Sequence, residues 1–412
     1  MDKIIVQKYG GSSVANILRI QDAAQRVVAY KNKGYNVVVV VSALGDTTDE
    51  LLDMAYKIAK EPPERELDML MSTGEQVSSA LLAMAINALG KESISFTGAQ
   101  VGIMTDRSHT KARIINIDAK RIKEELNKGK VVIVAGFQGI NPEQDITTLG
   151  RGGSDTTAVA LAKVLKSSVC EIYTDVDGIY TADPRIVSDA KKIDKICYEE
   201  MLEMASLGAQ VMQARSIELA SKFHVPIHVR SSFSNKQGTI VTKEVRAMED
   251  VLVSGVTINK NEAKITVCDV PDKPGYAARI FETLADADIN VDMIIQNISR
   301  TGANATDVSF TVMKSDLQKT LKVAKKLCKE IEAGGTTYDD DIAKVSVVGI
   351  GMRSHSGVAG KMFKTLAEAG INIEMISTSE IKISCVVDKS SGEKAVKAIH
   401  KAFKLGKLKK GH

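Results

Sequence analysis

The sequence predicts an α/β protein: an open α/β sandwich over roughly the first 240 residues, followed by two ferredoxin-like βαββαβ modules. Three observations carry this. Short apolar runs alternate with helical periods through the first part, the βαβ rhythm of such a sandwich. One run, Val37–Val41, is an unbroken valine stretch, as expected of a parallel strand buried on both faces. The part beyond residue 260 is an internal duplication. Ala263-Lys-Ile-Thr-Val matches Ala343-Lys-Val-Ser-Val, and Phe281-Glu-Thr-Leu-Ala-Asp-Ala-Asp-Ile-Asn-Val-Asp-Met-Ile matches Phe363-Lys-Thr-Leu-Ala-Glu-Ala-Gly-Ile-Asn-Ile-Glu-Met-Ile.

In chain order, Lys3–Lys8 is a β-type run, closed by Tyr9-Gly10-Gly11-Ser12-Ser13 and followed by a helical period over about Asn16–Lys33. The valine strand leads into Ser42-Ala-Leu-Gly45-Asp46-Thr47-Thr48. Helical periods cover roughly Thr48–Lys60 and Glu66–Leu89, with Ser72-Thr73-Gly74-Glu75 reading as the opening of a long helix. Another helical period spans Asp118–Asn127. The strand Lys130–Ala135 follows, then the loop Leu149-Gly-Arg-Gly-Gly-Ser-Asp155 and a helix over Asp155–Leu165. Ser167–Tyr173 is a further strand, and Thr174-Asp175 leads into Gly178-Ile-Tyr180-Thr-Ala-Asp183-Pro-Arg185. A helix over Gln213–Phe223 and a polar linker around Ser232–Asp250 complete this half. The duplicated part reads, in each copy, as strand, Gly-containing loop (Gly275, Gly357), helix, strand, strand, helix, strand, the ferredoxin-like plan. The boundaries expected are 1–240, a linker at 241–260, and modules at 261–335 and 336–412.

Composition excludes several classes. A chain of 412 residues is too long for one ordinary core. A net charge of +4, without aromatics interleaved among basic clusters, gives no footprint for nucleic acid. Five scattered cysteines without CxxC spacing indicate a reducing compartment, and with six dispersed histidines they argue against a zinc site. Neither a signal peptide nor a long apolar run is present, so a cytoplasmic protein without membrane contact is expected. Lys404, Lys407, Lys409 and Lys410 read as a frayed, solvated tail. No GxxxxGK[ST] loop, protein-kinase motif set or GxGxxG fingerprint occurs.

The glycine loops are the chemical signal. Arg151, Gly152, Gly153, Ser154 and Asp155 put a cation, a flexible backbone, a hydroxyl and a carboxylate at one helix N-terminus, a place that favours anions. Arg151 can grip a carboxylate or phosphate with two parallel hydrogen bonds. Gly10, Gly11 and Ser12 form a second such cradle, with Lys8 at the end of the preceding strand. Each loop alone is equally an ordinary turn, with Ser154 as N-cap and Glu75 placed for its helix dipole. In open α/β sheets, however, ligands bind beyond the carboxyl ends of the strands, and each glycine loop follows a strand or precedes a helix, so convergence on one cleft is expected.

The set QKYGGSSV, SALGDTTDEL, STGEQVSSALLA, GFQGI, GRGGSDTTAVALA and YTDVDGIYTADPR, in this order, resembles the aspartokinase family, whose catalytic domain has the amino-acid kinase fold. The resemblance runs through the whole chain. It implies transfer of the γ-phosphoryl group of ATP, with Mg²⁺ held mainly by the nucleotide, to the β-carboxylate of L-aspartate. It further implies that Lys8 lies against the transferring phosphoryl, that Asp155 orients Lys8 or organises the phosphoryl site, and that Gly10, Gly11 and Ser12 cradle phosphate oxygens. Thr174, Asp175, Tyr180 and Arg185 would border the nucleotide. Arg151 would clamp the α-carboxylate of aspartate and Glu75 would receive its ammonium, with Ser42, Thr47 and Ser154 adding hydrogen bonds beside Gly152 and Gly153. No residue is assigned as a metal ligand. Gln210 departs from many relatives, which carry lysine there, and leaves that phosphate contact open.

By the same resemblance the duplicated part is a pair of ACT domains, which bind amino acids between copies. The effector residues implied are Asp272, Gly275, Ala277, Asn290, Asp292 and Gln296 in the first copy. In the second they are Met352, His355, Val358, Asn372, Ile373, Glu374, Ser379 and Glu380. MRSHSGVAGKMF…NIEMISTSE is similar to lysine-binding ACT sequences, so feedback inhibition by L-lysine is expected, with a weaker expectation for L-threonine, at the head of lysine, threonine and methionine synthesis. Effector sites between copies from different chains imply a homo-oligomer, a dimer or dimer of dimers. Met248 falls where some relatives start a separate regulatory subunit. Two alternatives stay open from the residues alone: a kinase for another amino acid, or a non-catalytic amino-acid sensor. The pairing of Arg151 with Glu75 counts against the first, and an intact Lys8, Arg151 and Asp155 against the second.

Overall fold

The computed structural model describes residues 3–206, 211–243, 252–298, 305–353 and 355–407. Gln210, Met248, Lys409 and Lys410 lie outside these. The chain divides into two compact units. The first contains residues 3–179, 192–206 and 211–243; the second contains 180–191 and the described residues from 252 onward.

The first unit is built on an eight-stranded sheet. Its order is Lys195–Cys197, Thr239–Thr242, Ile227–Ser231, Cys170–Thr174, Ile4–Tyr9, Asn36–Val41, Val131–Ala135 and Ser93–Phe96. Neighbours are parallel except Ile227–Ser231 with Thr239–Thr242. All five valines of the valine strand have no exposed surface, which matches a strand covered on both faces. Register fixes the working edge: Tyr9 lies beside Val41 and Tyr173, and Val41 beside Ala135. The loops after these four strands therefore leave from one side of the sheet.

Helices fall close to their expected places: Ile17–Asn32, Thr47–Ile58, Glu64–Ala88, Lys120–Asn127, Gly153–Val164 and Ala214–Phe223. Asn16 caps the first by accepting from the Arg19 N–H at 3.0 Å. Two local readings are corrected. Ser72-Thr73-Gly74-Glu75 does not open a helix but lies inside Glu64–Ala88, and the Ser72 and Thr73 hydroxyls donate to the carbonyls of Met69 and Leu70. Ser154 is not an N-cap, because Gly152 holds that position with φ +71°. A small four-stranded sheet, in the order Ile114–Ile117, Ile103–Thr105, Gln138–Ile140 and Ile146–Thr148, went unread.

The second unit holds two ferredoxin-like sheets. The first copy runs Glu262–Pro271, Tyr276–Asp286, Ile294–Ile298, Ala305–Met313, Leu317–Glu330 and Gly335–Asp339, with the sheet order Ile294–Ile298, Ala305–Met313, Glu262–Pro271, Gly335–Asp339. The second copy runs Ile342–Val348, Val358–Glu368, Met375–Thr378, Lys382–Asp388 and Gly392–Ala402. Its fourth strand is not at the chain end, as the duplication suggested. Gly255–Asn259, which reads as linker, pairs antiparallel with Ile342–Val348 in that place. The first copy is thus inserted within the second. Equivalent lysines cross between the copies: Lys264 pairs with Glu374, and Lys344 with Asp292 and the buried Glu262. The expectation of a frayed tail fails through Lys407. Leu405 O accepts from the Thr181 hydroxyl at 3.1 Å, and the Lys407 N–H donates to Asp189 O at 2.9 Å. Among the described residues no helix is long and apolar enough to cross a membrane.

Candidate active site

Lys8, the penultimate residue of its strand, turns its ammonium onto Asp155, at 2.6 Å from Oδ1, with both side chains largely buried. Asp155 stands in the first turn of Gly153–Val164, where the helix dipole also favours a carboxylate. The turn after Lys8 leaves little room for a side chain at its two glycines, least at Gly11. A Cβ on Gly11 would fall 2.9 Å from Gly45 O, and one on Gly10 would fall 3.3 Å from Lys8 Nζ. The Gly10 N–H donates to Tyr173 O at 3.2 Å, tying this loop to the neighbouring strand.

The Arg151 loop is held by backbone shape. Gly150 and Gly152 flank it at φ +75° and +71°, and a Cβ on Gly152 would fall 2.2 Å from Gln213 Cγ. Arg151 is exposed, and its guanidinium has no hydrogen-bond or ion-pair partner among the described residues. Glu75 is the opposite case. It is 3% exposed, and one carboxylate oxygen accepts the Ala43 N–H at 3.1 Å. The other oxygen is buried without a partner among the described residues. Burial pushes its carboxyl up to about 8. Gly74 makes this approach possible, since a Cβ there would fall 2.8 Å from that of Ala43.

Lys8, Gly11, Ser42, Glu75 and residues 151–155 line one cavity of about 750 Å³. Thr48 lines it in place of Thr47, whose hydroxyl donates to Leu44 O at 2.6 Å. Gly10 and the exposed Ser12 stand outside its lining. Thr174 and Asp175 follow Tyr173 at the same sheet edge, with the Thr174 hydroxyl donating to Asp175 at 3.0 Å. Tyr180 and Arg185 belong to the stretch grouped with the second unit. There Tyr180 packs on the second copy's core, and Arg185 pairs with Asp183 at 2.8 Å.

Several supporting residues escaped the sequence reading. Asp68, fully buried on the long helix, accepts from the Thr148 hydroxyl at 2.5 Å and the Thr110 N–H at 3.1 Å, and lies 2.7 Å from His109 Nδ1. The Arg215 guanidinium donates to Leu149 O and Ala112 O, each at 2.6 Å. Together they hold the N-terminal flank of the Arg151 loop, at Thr148 and Leu149, to residues 110–112. Their partners lie tens of residues away in sequence, so no local pattern announces them.

In the second copy, Met352, His355, Val358, Ser379 and Glu380 line a cavity of about 470 Å³, with Glu380 paired to Arg353 at 3.0 Å. Ile373 and Glu374 line a different one, of about 420 Å³, beside Lys264. Asn372 is exposed and lines neither. In the first copy, Asp272, Gly275, Ala277 and Asn290 are exposed, Asp292 is taken up by Lys344, and Gln296 donates to the Thr306 hydroxyl at 3.4 Å.

Residues 3–231 match the model of the amino acid kinase family, and residues 264–329 and 345–403 each match an ACT domain. The aspartokinase of Mycolicibacterium smegmatis is 52% identical over 406 residues, covering 98% of this chain and 96% of that one. Among solved structures, E. coli aspartokinase III in complex with aspartate and ADP is 26% identical with a TM-score of 0.80, covering 97% of this chain and 99% of that one. The same enzyme with lysine and aspartate gives 0.77, with the same identity and coverage. With an amino acid kinase domain followed by two ACT domains, and about half its residues identical to an aspartokinase over nearly the full length of both chains, the chain belongs to the aspartokinase family.

Proposed function

We propose how the residues of this aspartate kinase divide the work of phosphorylating aspartate. A zwitterionic substrate needs an opposite group at each end, and the cavity offers both: the buried carboxyl of Glu75, charged once it ionises near pH 8, for the ammonium, and the uncommitted guanidinium of Arg151 for the α-carboxylate. That orphaned buried oxygen is the observation that carries the reading, since a native site rarely leaves such an acceptor without a ligand to satisfy it. Ser42, Ser154 and the residue pair Thr47–Thr48 supply hydrogen bonds beside it. With the ends held, the β-carboxylate is presented toward Lys8.

ATP would lay its phosphates on the Gly10–Ser12 turn and the N-terminus of Gly153–Val164, with the nucleoside along Thr174 and Asp175. Tyr180 and Arg185 are assigned to the nucleotide by family resemblance alone. A β-carboxylate oxygen attacks the γ-phosphorus as the bond to the ADP oxygen breaks, giving 4-phospho-L-aspartate and ADP. No general base is required, because the acceptor is already ionised near neutral pH. Lys8, held by Asp155, neutralises charge on the transferring group, so catalysis is positioning plus charge stabilisation. Mg²⁺ would be carried by phosphate oxygens and water. Among the described residues, no three acidic, histidine or cysteine side chains converge as a metal cage.

The ACT pair is proposed to bind L-lysine, with threonine as a second candidate, in a homo-oligomer, and so to regulate the first step of lysine, threonine and methionine synthesis. The gathering of Met352, His355, Val358, Ser379 and Glu380 around one cavity supports this. The test is an ATP-dependent assay on L-aspartate with hydroxylamine trapping of the acyl phosphate, run with and without lysine and threonine. Aspartate-dependent turnover suppressed by lysine is expected. Turnover indifferent to both amino acids would remove the regulatory reading and leave the kinase.

A further inference from the structure

The catalytic unit has a second cavity, of about 680 Å³, separate from the lining of the substrate cavity. It lies between the helix Ile17–Asn32 and the segment that begins with Arg230. Arg19, Arg26 and Lys33 recur every seven residues and so form one stripe along that helix and its end. Arg230 faces them from the strand, and Asp22 is the only carboxylate in the lining.

The partners of these cations leave positive charge over. Arg26 donates to neutral acceptors, Ser232 O at 3.2 Å and Asn235 Oδ1 at 3.4 Å. Arg19 stacks on the Phe233 ring at 4.0 Å and stands 3.9 Å from Asp22, whose side chain is 61% exposed. Arg230 pairs with the buried Glu171 at 3.0 Å, yet its Nε is buried without a partner among the described residues. Among the described residues Lys33 meets only the Tyr30 ring, at 5.6 Å. Four cations thus stand against two carboxylates, Asp22 and Glu171. A concave wall of one sign concentrates counter-ions, and guanidinium forks match phosphoryl oxygens in geometry. The volume is larger than a single phosphate needs. The wall is also hydrogen-bonded to the turn after Lys8, for the Ser232 hydroxyl donates to that of Ser13 at 2.5 Å.

We propose that this cavity is a binding site for a small anion carrying two or more phosphoryl groups, distinct from the site of the transferred phosphate. Its own cations do the binding: Arg19 and Arg26 by bidentate contacts, Arg230 through the positive charge of its guanidinium in the cavity wall, and Lys33 as a point charge at the far end. The anion is either inorganic or carried on a sugar.

The test is isothermal titration of the full chain, without divalent metal, with pyrophosphate in one arm and a sugar bisphosphate in the other. R19Q, R26Q and K8A variants are compared, and thermal unfolding checks that each is folded. At least a tenfold weakening by R26Q, a smaller one by the more exposed R19Q, and little change with K8A are expected for the better-binding probe. The arm that binds more tightly identifies the source. Binding unchanged in both arginine variants, or abolished by K8A, overturns the proposal, the latter because the anion would then sit on the catalytic loop. Failure of the aspartate assay would not bear on this result, since binding here is read without turnover.

Discussion

Glu75 carries the sharpest consequences of any residue. Its folded pKa is raised by burial to about 8 from 4.5, so between these values the folded chain binds a proton that the unfolded chain does not. Stability must therefore fall as pH rises through that window, by at most about 1.4 kcal/mol for each pH unit crossed. Glu75→Gln removes this penalty. Its Tm should exceed that of the parent above pH 8 and converge with it near pH 5; a parallel pH dependence in thermal melts would refute the assignment. The same change should lower kcat/KM for aspartate roughly a hundredfold, about 2–3 kcal/mol, with the KM for ATP nearly unmoved. The parent's kcat/KM for aspartate should rise with pH toward about 8 as the carboxyl ionises, and the variant should lose that limb. Lys8→Ala should remove turnover while leaving lysine binding intact, which a calorimetric titration checks. Lys8, Arg151 and Asp155 were legible because each adjoins a glycine-rich motif at an element end, and Glu75 because it follows the hydroxyl- and glycine-containing Ser72-Thr73-Gly74, although that motif lies inside its helix. What raises the Glu75 carboxyl was not legible, for its burial beneath Ala43 comes from the packing of a helix on a loop 32 residues away in sequence.

Among the elements, the Arg151 loop is the most tightly determined. Gly152→Ala combines a positive φ with a Cβ placed 2.2 Å from Gln213 Cγ. It should cost on the order of 2–3 kcal/mol in stability and cut aspartate use more than tenfold; full activity at unchanged Tm would show the loop to be more forgiving. Asp68→Asn acts at one remove, loosening the Thr110 and Thr148 contacts that flank the loop. It should raise the KM for aspartate several-fold with the KM for ATP unchanged, and steady-state kinetics in both substrates will tell. Helix positions were readable because apolar spacing and caps such as Asn16 are local. Three- and four-residue strands such as Ile103–Thr105 and Ser93–Phe96 were not, since so few residues cannot display a period. The long helix was misread at Ser72 because hydroxyls that cap a helix can equally turn back onto its own carbonyls.

For the whole molecule, the duplication was visible in sequence but its strand exchange was not, because strand pairing is set by the fold of both copies and Gly255–Asn259 lies outside the repeat. The crossed pairs have the repeat's own symmetry: Lys264 and Lys344 occupy matching positions, as do Glu374 and Asp292. Lys344 is 1% exposed, so Lys344→Ala strands the buried Glu262 and should cost about 3–5 kcal/mol in the second unit. Calorimetry should show that loss; the exposed pair Lys364–Glu368 makes the control, since its removal should cost well under about 1 kcal/mol.

The nested path also sets an order of assembly during synthesis. Gly255–Asn259 leaves the ribosome first, with its pairing groups open, and its partner Ile342–Val348 follows only after the entire inserted copy. Such a distant closure would be slow on an unstructured chain. The inserted copy, however, pairs its first and last strands, Lys264 beside Asp339, and so brings its two ends together as it folds. Pulse-labelled hydrogen exchange should find Glu262–Pro271 protected before Ile342–Val348. Folding in that order would shorten a long search to the span of the inserted copy's own two termini.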